Sequence, residues 1–140
     1  MPAVSSLRLN LLRALYLLIA VGLGIVVWPG VIRHEQPWEL MQGFVNCMLA
    51  AFGVLCALGV RYPLRMLPVL LWELLWKALW LLVVGVPALR AGPLSPAMAE
   101  NLFAVGLVVL IPLALPWRYV IATYFRGPGE QSLRAGAAPN

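Results

Sequence analysis

Residues 65–82 read RMLPVLLWELLWKALWLL, an apolar run long enough to cross a bilayer that carries Glu73 and Lys77 in its interior. A charged side chain near the bilayer centre costs at least about 2.5–3.5 kcal/mol on insertion scales, so it normally faces protein or water. Glu73 and Lys77 stand four apart with the acid first, the order that favours an ion pair along one helix face. At about 100° per residue, Arg65, Met66, Val69, Trp72, Glu73, Trp76, Lys77 and Trp80 fall within an arc of roughly 140°. Ala78 and the leucines at 64, 67, 71, 74, 75, 79, 81 and 82 occupy the other side. The expectation is that the Trp/Glu/Lys arc faces the inside of a helical bundle and the leucine arc faces acyl chains.

The rest of the chain agrees with that membrane setting. Of 140 residues, 63% are hydrophobic and 11% charged, far outside the soluble range. Four apolar segments nearly exhaust the length, at about 7–28, 38–60, 64–86 and 96–122, leaving a polar tail at 127–140 that reads as disordered and cytoplasmic. The fold class is therefore all-α, a four-helix transmembrane bundle with antiparallel up-down topology, and residues 1–126 form its single domain. Arg8 and Arg13 open the first segment, but its apolar core is long for a signal peptide and no small-residue cleavage site follows, so it reads as an uncleaved span.

Charge sets orientation. An even number of spans puts Arg8, Arg13, Arg61, Arg65, Arg118, Arg126 and Arg134 on one side, against Arg33 and Arg90 on the other. By the positive-inside rule both termini are cytoplasmic, in a multi-pass protein of a bacterial inner membrane. The formal charge of +5 is thus an orientation signal; its residues form no patch for nucleic acid.

Punctuation marks the ends of the segments. Pro29 and Gly30 read as the stop of the first, and Pro37 as the first helical position of the second with Glu39 in its first turn. The third is expected to end near Pro87, and Ser95 followed by Pro96 reads as an N-cap and first position. Pro112 and Pro116 free backbone carbonyls, so a bend is expected in the fourth unless a neighbour re-satisfies them. In the second segment Glu39, Gln42, Gly43, Asn46, Ala50, Gly53 and Ala57 share a stripe suited to close helix packing.

Depth along the helices puts Lys77 near the midplane and Asn46 within about one turn of it. Glu73, Lys77 and Asn46 are accordingly expected to form one buried polar cluster, either fixing helix register or serving as a ligand or proton site. Trp72, Trp76 and Trp80 form a candidate aromatic wall, and Glu39 with Glu100 a candidate outer vestibule. Catalytic apparatus is not visible: Ser5, Ser6, Ser95, Ser132 and Thr123 lie at ends or loops without a nucleophile motif. No metal or cofactor is expected, because His34 is the only histidine and Cys47 and Cys56 fall on opposite helix faces about 13 Å apart.

The run RYPLRMLPVLLWELLWKALWLL at 61–82 resembles one found in small uncharacterised bacterial four-helix inner-membrane proteins, a resemblance that brings no activity with it. In size and span count the chain is also similar to DoxX-like proteins and to small multidrug transporters. The latter imply a carboxylate in the first helix, which has none here. The expected function is a non-enzymatic accessory, assembly or structural membrane component. The alternative is a small transporter or ligand-binding protein using Glu73 and Lys77. Expected partners are the lipid bilayer and either a second copy or another membrane protein, with no nucleic acid.

Overall fold

The computed structural model describes residues 4–35, 37–127 and 129. Every regular element among them is helical, and four helices are long and apolar enough to cross a membrane: Ser6–Val26, Leu40–Arg61, Leu67–Arg90 and Pro96–Ala114. The reading of 127–140 as a disordered tail falls mostly on residues outside the described ones.

Helix α1 (Ser6–Val26) starts where Ser5 Oγ accepts the Arg8 N–H at 3.2 Å, relieving one of the four donors a helix leaves open. Pro29 and Gly30 do not stop the helical path. The chain kinks at Val27 and restarts as α2 (Trp28–Arg33), with Pro29 in its first turn, where a missing N–H costs nothing. The stop comes at His34, whose φ of 40° is left-handed.

Helix α3 (Leu40–Arg61) begins two residues later than expected. Glu39 lies outside the first turn as the N-cap, its carboxylate accepting the Gln42 N–H at 3.1 Å. Helix α4 (Leu67–Trp80) has Pro68 in its first turn and passes through Pro87 instead of ending there. A π-helical turn at Leu81–Gly85 widens the ladder just before that proline, and α5 (Val86–Arg90) completes the span.

Helix α6 (Pro96–Gly106) is capped by Ser95, whose Oγ accepts the Met98 N–H at 3.1 Å. A 3-10 turn at Leu107–Val109 leads into α7 (Leu110–Ala114), and there the fourth span ends, earlier than expected. Leu115 is forced extended (ψ 136°) by the following Pro116, and the chain restarts as α8 (Trp117–Val120) with a π turn at Ile121–Phe125. Two of the carbonyls freed by this break are answered by side chains. Trp117 Nε1 donates to Pro112 O at 2.8 Å, replacing the N–H that Pro116 lacks, and Arg8 Nη1 donates to Leu113 O at 2.8 Å. Trp117→Phe is expected to lower stability by about 1 kcal/mol, read as a shifted midpoint in detergent unfolding; an unchanged midpoint means water supplies the bond equally well.

The core gathers where the first span's N-terminal half meets the ends of the other three. Leu12, Leu15, Tyr16, Phe52, Cys56, Leu67, Leu70, Val108, Ile111, Ala114, Leu115 and Val120 pack into one cluster. Between α1 and α3, contacts pair residues in opposite chain order. Tyr16 lies against Gly59, Leu23 against Gly53, and Trp28 Nε1 donates to Ala50 O at 3.2 Å. A small residue every third position, Ala50, Gly53, Cys56 and Gly59, is buried in this contact. The expected stripe shares Ala50 and Gly53 with it, whereas Ala57 is exposed. Away from the core, Ile25, Val26, Phe44, Leu75, Leu82, Val83, Phe103 and Leu113 are all more than half exposed, an apolar exterior suited to hydrocarbon.

Candidate functional site

Glu73 stands out among the buried side chains. It is 2% exposed and is the one buried charged residue among the described ones. Its Oε1 lies 2.6 Å from Lys77 Nζ, and its Oε2 accepts the Trp76 indole N–H at 3.0 Å. Lys77 also lies over the Trp76 ring, 5.6 Å from its centre. Both carboxylate oxygens are thus engaged, and every partner sits on Glu73's own helix.

That arrangement corrects two expectations. Asn46 is not joined to the pair: it is half-buried, and its Oδ1 accepts Gln42 Nε2 at 2.8 Å, one turn earlier on α3. The reason is reach, since a local i, i+4 partner is available without crossing to another helix. The inward face of the third span is also wider than expected, since it takes in Leu67 and Leu70. Leu67, Leu70 and Glu73 are buried; Leu71, Leu74 and Leu81 are half-buried, as are Met66, Val69, Trp76, Lys77 and Trp80 of the expected arc, and Arg65 and Trp72 are exposed. Slender leucines fill the tight contacts near Tyr16 and Ile111, while the bulky indoles sit toward the rim.

The three tryptophans form a partial stripe. Trp72 and Trp76 ring centres are 6.2 Å apart, and Phe52 of α3 adds a third ring 6.1 Å from Trp72. Trp80 is half-buried and packs instead near Gly85, where an added Cβ would meet its ring at 3.4 Å and Leu102 at 3.1 Å. Glu39 is exposed and engaged in capping its own helix, and Glu100 is exposed on α6.

Two surface hollows flank the helices. One, of about 390 Å³, is lined by Met48, Ala51, Phe52, Leu55, Pro68, Val69 and Trp72. The other, of about 370 Å³, is lined by Pro29, Gly30, Arg33, His34, Glu35 and Trp38, with His34 edge-on to Trp38 at 4.4 Å. Glu73 and Lys77 line neither. Among the described residues no three His, Cys, Asp or Glu side chains come together as a metal-binding group.

Sequence reasoning missed Tyr16, which is fully buried and donates its hydroxyl to Pro63 O at 2.9 Å, and Gly59 beneath it. The three-residue spacing from Ala50 to Gly59 was the available signal.

Comparison with known proteins places the chain among membrane proteins without giving it a family. It is similar to the Na+/H+ antiporter NhaA of Sodalis glossinidius (strain morsitans), 35% identical over 83 residues, which is 59% of this chain and 18% of the antiporter. No family model matches, and no solved structure matches. The chain thus spans less than a fifth of that relative. With four apolar helices and a membrane antiporter as relative, it is an integral, multi-pass membrane protein.

Proposed function

We propose that the chain is a non-catalytic component of a bacterial inner membrane, arranged up-down with both termini in the cytoplasm, in which the Glu73–Lys77 pair is a structural lock. The carrying observation is that the pair is closed. Glu73 is almost fully buried, both its oxygens are bonded, Lys77 is 18% exposed, and the two hollows described above are lined by other residues. A ligand or proton site has to be reached from one face of the membrane at some stage of its cycle; this pair is satisfied as it stands. The small-residue contact of α3 with α1 fits the same reading, since Gly53 and Gly59 bring the two helices close together.

A second reading, proton-coupled cation transport, is favoured by the similarity to the antiporter. In that reading Glu73 exchanges its lysine partner for a proton or cation when the helices move apart. Everted vesicles separate the two. Under the structural reading, Na+ added to vesicles carrying an established pH gradient dissipates it no faster than in vesicles lacking the protein. Dissipation that disappears in Glu73→Gln, with the folded protein present in equal amount, establishes transport and overturns the lock. Orientation has its own test: reporters fused after residue 126 and in the 61–65 turn are expected to signal from the cytoplasm, and one fused at 91–94 from the opposite side.

A further inference from the structure

The turn between the second and third spans holds two cations beside one aromatic ring. Arg61 Cζ lies 5.5 Å and Arg65 Cζ 5.7 Å from the centre of the Tyr62 ring, and all three side chains are exposed. Among the described residues the one ion pair is Glu73–Lys77, so neither guanidinium has an acidic partner. Two like charges beside one ring set up a local positive field that favours an anion. Each also presents five N–H donors in a fork that suits phosphate.

The larger apolar hollow opens directly below. Trp72, Val69 and Pro68 of its lining continue up the same face of α4 to Arg65, one turn before, and Leu55 continues up α3 to Tyr62, seven residues on. At 1.5 Å per residue, Leu55 and Met48 lie about 10 and 21 Å beneath Tyr62. Half of a bilayer with its headgroups is about 20–22 Å, so the hollow runs from below the headgroup level to the midplane. Its walls are wholly apolar side chains from two helices, and Met48, Leu55 and Trp72 are exposed at its edge.

From this juxtaposition we propose that Arg61, Tyr62 and Arg65 with the hollow beneath them bind one anionic glycerophospholipid, the arginines holding its phosphate and the hollow one acyl chain. Basic pockets between transmembrane helices recognise headgroups in this way, and charge complementarity selects an anionic lipid over a zwitterionic one. The site lies apart from the Glu73–Lys77 pair and stands whichever function that pair serves.

Native mass spectrometry of the full chain in mild detergent, titrated with phosphatidylglycerol and separately with phosphatidylcholine, tests the proposal. Phosphatidylglycerol is expected to remain bound as a single adduct in preference to phosphatidylcholine. Arg61→Gln with Arg65→Gln is expected to weaken it about five-fold per arginine, about 30-fold together, whereas Arg90→Gln leaves it unchanged. Ala51→Trp, which fills the hollow at an exposed position, is expected to weaken both lipids with the unfolding midpoint retained. Equal retention of the two lipids, undiminished phosphatidylglycerol binding in the double variant, displacement by millimolar inorganic phosphate, or a lipid-free dimer abolished by Ala51→Trp would each overturn it.

Discussion

Glu73→Ala is expected to destabilise the protein by about 3–5 kcal/mol, because it strands Lys77 in a low-dielectric setting with only the Trp76 ring for company. It also removes the acceptor of the Trp76 indole N–H. The informative comparison is the double variant Glu73→Gln with Lys77→Met, which removes both charges while keeping volume and an acceptor for Trp76. Its stability is expected to return to within about 1–2 kcal/mol of the parent, since a buried ion pair and a well-packed neutral replacement are often nearly equivalent. Lys77→Met alone leaves the carboxylate as the stranded charge and is expected to fall with Glu73→Ala. Reversible unfolding in mixed micelles of the parent, Glu73→Gln, Lys77→Met and the double variant gives the coupling energy. If the two single variants match the parent, the pair lies in water and the lock does not exist.

Gly59 is the second site of large effect. A Cβ there would collide with Cδ1 and Cε1 of the Tyr16 ring, which is fully buried. The ring cannot swing aside cheaply, because its hydroxyl donates to Pro63 O at 2.9 Å. Gly59→Ala is expected to cost at the upper end of the overpacking range, about 3 kcal/mol, and Gly59→Leu to prevent assembly of the first two spans. Tyr16→Phe, which keeps the ring and loses the bond, should cost only about 1 kcal/mol. In a Tyr16→Leu background, the added penalty of Gly59→Ala is expected to shrink by more than half. Thermal unfolding in detergent of the parent, Gly59→Ala, Tyr16→Phe, Tyr16→Leu and the Tyr16→Leu/Gly59→Ala double variant measures these; an undiminished penalty would place the clash elsewhere.

The two variants differ in how far their causes were legible. That Glu73 and Lys77 pair along one helix followed from their spacing alone, because i, i+4 geometry is local and independent of what packs nearby. That they would recruit Asn46 did not follow. A polar group in hydrocarbon takes the nearest adequate partner, and Trp76 and Gln42 were each within one turn. Prolines behaved likewise. Ser95 and Pro96 opened a helix as their local chemistry requires, but Pro29 and Pro87 were accommodated by a restart and by a π turn. Of the two prolines in the fourth span, Pro112 lies within α7 and Pro116 follows its end, where Arg8 and Trp117 donate to freed carbonyls.

Composition and hydropathy by themselves determined a four-span helical membrane protein, because a bilayer admits only helices or closed barrels and each apolar segment is of helical spanning length. Tertiary structure alone decided which face of each helix turns inward. In lipid there is no hydrophobic drive to sort leucine from tryptophan, so rotation is set by shape, as where Gly59 meets Tyr16 and Gly53 meets Leu23 between the first two spans. In the third span the leucines at 67 and 70 join the core while Trp72 stays partly exposed, its ring lining the hollow beside Pro68 and Val69.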